Sequence, residues 1–165
     1  MPKIIKIIAI LIISVISFNK VFADSIPIIV IAPSKKAQSI STVGSSVSVY
    51  DKSYVEGTNG FFLGDVLGNG TTSFNFFQTG GHGTNSGIQL RGLPKRYSTV
   101  YIDGVKMSDP SSPSNDFYFD HILKSQISRV EILKGNQSSV YGSGAIGGTI
   151  NITTKRGKPG FQKDI

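Results

Sequence analysis

The sequence predicts an α+β domain of short strands and short helices with long polar loops. The first observation is a period-two alternation in Ile127–Leu133 and again in Thr149–Thr154, which is typical of strands with a buried face. The second is Asp103-Gly104 between two apolar runs, a strong hairpin signal because Asp-Gly suits a type I′ turn. The third is helical spacing that never extends beyond about two turns, as in residues 61–67. The chain has no cysteine, which excludes a disulfide framework and any thiolate metal site.

Residues 1–23 have the three-part layout of a secretory signal peptide. Lys3 and Lys6 give a positive start, an apolar run follows, and Val21-Phe22-Ala23 places small residues at a cleavage site. The apolar run is shorter than the roughly 20 residues that a transmembrane helix needs. We therefore expect an exported protein, cleaved after Ala23, that carries 14 basic and 10 acidic residues.

A short apolar stretch bracketed by Pro27 and Pro33 follows the cleavage site. Five of the six residues from Ile26 to Ile31 are β-branched aliphatics, which favours a strand. One interpretation is an edge strand of the domain, to which proline confines a strand. The other is an exposed peptide that adds to the sheet of a partner, favoured by its place at the mature N-terminus before a polar spacer, 34–41.

The middle of the chain reads as short elements separated by turns. We expect Asp51–Gly60 to be polar turn, Gly80–Gly87 to be a flexible loop, and Asp109–Asp116 to be irregular because of its prolines. The predicted regular elements are strands at Val43–Tyr50, Thr72–Gln78, Ile88–Arg91 and Ser98–Asp103, and helices at Phe61–Leu67 and Asp120–Gln126.

The glycine-rich stretch 142–148 contains a literal G-x-G-x-x-G. A dinucleotide site would need a helix after the glycines, because the helix N-terminus holds the pyrophosphate. Here Thr149–Lys155 follows, with the β-branched residues of a strand, so the nucleotide interpretation is disfavoured. Before the glycines, 134–136 reads as a turn and Ser138–Tyr141 as one helical turn.

These segments resemble the plug domain of TonB-dependent outer-membrane receptors, and the resemblance implies that the strands form a small mixed β-sheet. The resemblance rests on three runs, 132–135 (ILKG), 137–142 (QSSVYG) and 145–152 (AIGGTINI), and continues through Leu90-Arg91-Gly92 and Tyr101–Val105. It implies residues 1–23 as signal peptide, 24–41 as TonB-box segment and linker, 42–157 as plug domain, and 158–165 as a truncated junction to a missing β-barrel.

The resemblance also implies partners and site residues. Ile28, Ile29, Val30, Ile31 and Ala32 match the TonB box, which would bind the periplasmic C-terminal domain of TonB by strand addition. Arg91 and Lys134 match the basic positions that hold the plug to glutamates of the barrel wall. The alternative for the two cations is an ordinary pairing within the domain, for example with Glu131. The second basic position is usually Arg in the family, and lysine lacks the bidentate fork of arginine.

The implied function is gating the uptake of a scarce nutrient such as a metal chelate or cobalamin. The loops at 80–87, 93–98 and 111–116 would meet this small-molecule ligand, with candidate contacts at His82, Asn85, Tyr97, Asn115 and Phe117. Because the sequence stops where the first barrel strand is expected, we expect a chain that cannot transport alone. Joined to a barrel it would lie in the cell outer membrane, and otherwise in the periplasm.

Other function classes are less favoured. The two histidines lie outside any G-x-S-x-G or H-E-x-x-H motif, with His121 expected on a helix surface, so no catalytic residue is assigned and an enzyme is not expected. The aspartates fit no EF-hand spacing, and we expect no metal or cofactor. The scattered Lys and Arg residues do not form a nucleic-acid site. The remaining alternative is a free-standing soluble periplasmic binding or adaptor module with the plug fold.

Overall fold

The computed structural model describes residues 28–32, 34–68, 74–114, 116–157 and 160. Within these ranges the regular elements are short strands, three short helices and several 3-10 turns. The strands are β1 Ile29–Val30, β2 Gln38–Ser39, β3 Ser46–Tyr50, β4 Phe74–Gln78, β5 Ser86–Leu90, β6 Ser98–Ile102, β7 Val105–Met107, β8 Ile127–Lys134 and β9 Gly148–Thr154. The helices are α1 Lys52–Gly57, α2 Leu63–Gly68 and α3 Ser138–Tyr141, and the 3-10 turns are Ile40–Thr42, Lys95–Tyr97, Lys124–Gln126 and Ser143–Ala145.

A five-stranded mixed sheet in the order β3-β8-β9-β6-β7 forms the centre of the domain. Strand β8 pairs antiparallel with both β3 and β9, while β6 and β9 are parallel. Hairpin β4–β5 and hairpin β1–β2 form separate two-stranded sheets. The predicted α+β class with a small mixed sheet is confirmed.

The alternation along β8 divides the buried residues between the two faces of the sheet. Val130 and Ile132 belong to the main core with their neighbours Ile150 and Ile152 of β9, whereas Leu133 belongs to a second, smaller cluster. The main core is completed by α1, α2 and hairpin β4–β5. The second cluster contains α3, the following 3-10 turn and the N-terminal residues, with these members: Ala32, Tyr101, Leu133, Tyr141 and Ala145.

Several sequence predictions are confirmed at the level of individual elements. The Asp103-Gly104 turn joins β6 to β7, with φ of 49° and 85° as a type I′ turn requires. Ser138–Tyr141 is helical, and the two alternating stretches are β8 and β9. Residues 1–27, which include the predicted signal peptide, lie outside the described residues, as do residues 33, 69–73, 115, 158–159 and 161–165.

One helix was missed, and one predicted helix is wrong. The stretch from Asp51 to Gly60 contains helix α1 instead of turns only, because the Asp51 side chain accepts a hydrogen bond from Tyr54 N (2.9 Å) and caps the helix. The predicted helix at 120–126 is a turn followed by the 3-10 turn, since Leu123 forms a β-bridge with Phe62.

Four other predicted bounds move. Helix α2 begins at Leu63, not at 61, because the Asp65 carboxylate accepts hydrogen bonds from the backbone amides of Phe61 and Phe62. Strand β3 begins at Ser46 after a 3-10 turn, the polar loop at 80–87 ends in strand β5, and residues 95–97 form a 3-10 turn. Among the described residues, no helix is long and apolar enough to cross a membrane.

Gly148, where β9 begins, has no room for a side chain. Its φ is +147°, and an added Cβ would lie 2.2 Å from Leu133 O and 2.7 Å from Leu90 Cδ1. We predict that Gly148→Ala lowers the free energy of unfolding by about 3 kcal/mol or more, because the strand would have to move away from β8. Urea denaturation measures this.

Gly44→Ala is the matched control, because nothing lies within 4 Å of its added Cβ. It should change the free energy of unfolding by no more than about 0.5 kcal/mol. Equal effects of the two alanines would contradict the close approach of β8 and β9 at Gly148.

Candidate functional site

The predicted partner-binding stretch Ile28–Ala32 is docked on the domain, and we call it the docked segment. Strand β1 pairs antiparallel with β2, and Ile40 N donates to Ile28 O (2.8 Å). Val30 and Ala32 are completely buried, whereas Ile28, Ile29 and Ile31 are each about half exposed. The segment is therefore neither an edge strand of the five-stranded sheet nor the exposed peptide that the sequence led us to expect.

Three side chains from the second half of the chain hold the backbone of the docked segment. Glu131 Oε2 accepts hydrogen bonds from Ile31 N (2.9 Å) and Ala32 N (2.8 Å). Arg129 donates to Ile29 O, and the Tyr141 hydroxyl donates to Ala32 O. Sequence reasoning considered Glu131 only as a partner for Arg91 or Lys134. The available signal was a carboxylate at an inward-facing position of a buried strand, which requires a partner.

Lys35 covers the end of the docked segment. Its ammonium lies 5.0 Å from the centre of the Tyr141 ring and 5.7 Å from that of Tyr101, and the two rings are 4.9 Å apart. Burial raises the pKa of Tyr141 to about 12, with smaller contributions from Tyr101 and Glu131. Burial also raises the pKa of Tyr101.

Arg91 and Lys134, the two predicted barrel contacts, lie next to each other. An added Cβ at Gly135 would lie 3.4 Å from Arg91 Nη1, so the guanidinium packs against the residue after Lys134. Burial, and secondly the charge of Arg91, lower the pKa of Lys134. Arg91 has a φ of 55°, a left-handed conformation that is unusual outside glycine.

Within the described residues, no carboxylate lies within 4 Å of either cation. Glu131, the partner considered from the sequence, is paired instead with Arg129 at 2.9 Å. The structure thus brings two like charges together without an acidic partner from these parts of the chain.

Two of the three predicted ligand loops meet at one end of the main sheet. Lys95 forms an ion pair with Asp116 (3.4 Å), and its ammonium lies 3.7 Å from the centre of the Tyr118 ring. These two contacts join the loop at 93–97 to the loop at 108–118. A half-open cleft of about 390 Å³ lies between them, and its lining includes Arg96, Lys106 and Phe117. Phe117 also packs against the main core.

The third loop lies against helix α2. His82 stacks on Phe62 with ring centres 5.3 Å apart, and its Nδ1 is 3.8 Å from Asp65 Oδ1. The Asn85 carbonyl accepts from Thr79 N (3.0 Å) and closes the loop. Asn115 lies outside the described residues. His121 is on an exposed turn and not on a helix surface. Among the described residues, no three His, Asp or Glu side chains form a group suited to a metal ion.

Comparison with known proteins decides the family. The family model described as "TonB-dependent Receptor Plug Domain" matches residues 39–149, more than half of the chain. The chain belongs to the plug-domain family of TonB-dependent receptors. The five-stranded sheet and the second cluster behind it therefore form the plug fold.

Two relatives of this plug domain are a receptor and a transporter. The chain is 36% identical over 142 residues to a rhizobactin receptor of Rhizobium meliloti (strain 1021), covering 83% of the plug chain and 18% of the relative. It is 32% identical over 126 residues to a vitamin B12 transporter of Vibrio vulnificus (strain CMCP6), covering 76% and 20% respectively. The plug chain thus spans about a fifth of the length of these relatives.

Solved receptor structures contain the same fold. The siderophore receptor PiuA of Acinetobacter baumannii is similar over 74% of the plug chain and 16% of its own, with a TM-score of 0.56 and 28% identity. The alcaligin receptor FauA of Bordetella pertussis is similar over 78% and 21%, with a TM-score of 0.61 and 20% identity. At 20% identity the second likeness concerns the fold alone.

The Tyr141 hydroxyl gives a prediction for alkaline stability. Because folding raises the pKa of this phenol from 10.0 to about 12, its contribution to stability is present below pH 10 and is lost as the pH rises through 12. We predict that Tyr141→Phe lowers the unfolding free energy at pH 7 by about 1 kcal/mol and flattens the decline between pH 10 and 12. Urea denaturation at a series of pH values measures both effects.

Tyr54→Phe is the control because this ring is exposed. It should leave the alkaline decline unchanged. An alkaline decline in Tyr141→Phe as steep as in the parent chain would contradict the role of the hydroxyl.

The adjacent cations Arg91 and Lys134, which we call the cation pair, give a prediction in which a substitution raises the unfolding free energy. Because folding lowers the pKa of Lys134, its charge opposes folding at neutral pH, and this cost is relieved as the pH rises toward 10.5. Lys134→Met should therefore raise the unfolding free energy at pH 7 by about 0.5 kcal/mol, with a smaller gain in high salt. Urea denaturation at two salt concentrations measures this.

Lys36→Met, at an exposed position, serves as the control and should have no salt-dependent effect. A loss of stability in Lys134→Met would mean that Lys134 has an acidic partner within the chain.

Proposed function

We propose that this plug domain gates an outer-membrane receptor for a scarce nutrient, such as a metal chelate or cobalamin. The observation that carries the proposal is the docked segment, an N-terminal strand held mainly through its backbone and separable from the domain without breaking the five-stranded sheet. Membership of the plug family and likeness to a rhizobactin receptor and a vitamin B12 transporter support the substrate classes.

The docked segment is proposed as the TonB box. Its partner is the periplasmic C-terminal domain of TonB, which adds a strand to Ile28–Ala32 and pulls on the plug. Strand addition supplies affinity through main-chain hydrogen bonds and specificity through alternate side chains. The half-exposed side chains of Ile29 and Ile31 are available to such a partner while the segment is still docked.

Arg91 and Lys134 are proposed to face acidic side chains on the inner wall of a surrounding β-barrel. Two adjacent cations, with no carboxylate within 4 Å among the described residues, form a site for an acidic partner. A guanidinium binds a carboxylate with two parallel hydrogen bonds, whereas an ammonium acts as a compact charge. In this arrangement the protein is exported with residues 1–23 as signal peptide, and the plug of residues 42–157 lies in the outer membrane inside its barrel.

The nutrient is proposed to meet the loops at one end of the sheet. Tyr97 and Phe117 come from the two loops that border the cleft, and the cations Arg96 and Lys106 make this cleft attractive to an anionic chelate. His82, Asn85 and Asn115 are proposed as further contacts from the neighbouring loops. Ligand bound at these loops would favour release of the docked segment.

The test is binding of the whole chain to the TonB C-terminal domain encoded in the same genome, measured by isothermal titration calorimetry. Neighbouring residues of a strand donate hydrogen bonds toward opposite edges, so the double variant Val30→Pro/Ile31→Pro removes a donor from each edge. We expect the chain to bind and the double variant to bind at least about tenfold more weakly.

Ser34→Pro, at an exposed position beyond the segment, is the control and should bind as the parent chain does. The prolines also loosen the docked segment, which by itself would strengthen binding. The prolines are therefore also introduced in the Glu131→Gln background, which loosens the segment by itself, and undiminished affinity in that background would rule out strand addition at this segment.

A further inference from the structure

Glu131 is a buried carboxylate whose hydrogen-bond donors come mainly from the docked segment. Its side chain is 2% exposed, in the middle of the central strand β8. Oε1 pairs with Arg129 Nε at 2.9 Å, and Oε2 accepts from Ile31 N and Ala32 N. A buried charge is tolerated only when it is paired and hydrogen-bonded. Two of these three hydrogen bonds would be lost if the segment left.

The hydrogen bonds also bend the docked segment. In an extended strand, consecutive N–H groups point to opposite sides, so one oxygen cannot receive both. Here the amides of Ile31 and Ala32 converge on a single oxygen, and strand β1 ends at Val30, one residue earlier. While Glu131 holds these two amides, the second half of the segment cannot take the extended conformation that a partner strand needs.

The holding site encloses the backbone and two side chains of the segment, those of Val30 and Ala32. Arg129 and Tyr141 bind the carbonyl oxygens of Ile29 and Ala32, so these contacts, like the two hydrogen bonds to Glu131, go to the main chain of the segment. The Ala32 side chain is fully buried in the second cluster with Leu133, Tyr141 and Ala145. The side chains of Ile29 and Ile31 are left outside, where a partner can select them independently of docking.

We propose that Glu131 is the positioning residue that keeps Ile28–Ala32 docked, and that it competes with the partner strand for the same two backbone donors. The competition rests on the proposed function, whereas the holding role does not. Glu131 thereby sets how much of the segment is available to a partner.

The test is amide hydrogen exchange of the whole chain, resolved by heteronuclear NMR, with no TonB present. Glu131→Gln keeps the size of the side chain but removes its charge and its ion pair with Arg129. We expect the Ile31 and Ala32 amides to exchange at least about tenfold faster in this variant, because hydrogen bonds to charged groups are the stronger ones. Slow exchange of the Ile150 and Ile152 amides in β9 checks that the sheet is intact.

Glu56→Gln is the matched control. This carboxylate is exposed on helix α1 and pairs with Lys155 at 2.8 Å, remote in sequence from the docked segment. In the Glu56→Gln variant, the Ile31 and Ala32 amides should exchange at the same rates as in the parent chain. If Glu131→Gln does not fold, Ile31→Pro removes one of the two donors and leaves the carboxylate in place, and Ala32 exchange should then be faster.

Unchanged exchange in the folded Glu131→Gln variant, or unprotected Ile31 and Ala32 amides in the parent chain, would overturn the holding role. The competition is tested separately by measuring affinity for the TonB C-terminal domain. Glu131→Gln should increase this affinity about tenfold. If exchange is faster but the parent chain and the variant do not bind TonB, the proposed function fails and the holding role stands. If the parent chain and Glu131→Gln bind the TonB C-terminal domain with equal affinity, the proposed competition is wrong.

Discussion

The alternation of strand β8 is the constraint on which the rest of the structure depends. Val130 and Ile132 face the main core, while Glu131 and Leu133 face the second cluster, so one strand determines both layers of the domain. Its position between β3 and β9 satisfies its backbone on both edges. A shift of one residue would turn the carboxylate into the apolar core and the aliphatic side chains away from it. The site for the docked segment is thus fixed by the register of the central sheet.

The glycines around this strand let the functional groups approach it closely. Gly148 allows β9 to begin against the backbone of Leu133 without a side chain between them. Gly135, with φ of +110°, ends β8 and leaves space for the Arg91 guanidinium beside Lys134. The cation pair and the docked segment are consequently positioned by the same strand, one at its end and the other at its middle. A partner acting on either would act on the element that organises the whole domain.

The sequence predicted the parts of the fold that local pattern decides. Strands β8 and β9 and the Asp103-Gly104 hairpin follow from alternation and turn chemistry, which depend on residues close in sequence. Helix α1 was missed because its composition is polar. Val55 is its one buried residue, and the Asp51 cap and that contact with the core stabilise it.

The candidate site was only partly predictable for the same reason. The resemblance of the apolar stretch before Pro33 to a partner-binding strand was visible in the sequence, but its docking depends on Glu131, about 100 residues away. Period-two alternation places Glu131 on one face of a strand and does not say which segment covers that face. The proximity of Arg91 and Lys134 was not predicted, because no local pattern joins the end of β5 to the end of β8 and the family resemblance implied only that both contact the barrel wall.

The central claim is that Ile28–Ala32 is docked on the face of the sheet that carries Glu131. The most direct measurement is a set of nuclear Overhauser contacts in the whole chain between the Ala32 methyl group and the rings and methyl groups of the second cluster. We expect contacts from Ala32 to Tyr141 and Leu133, together with a downfield-shifted amide at Ala32 that reflects its hydrogen bond to the Glu131 carboxylate. Random-coil shifts for residues 28–32 and no contacts to the cluster would contradict it.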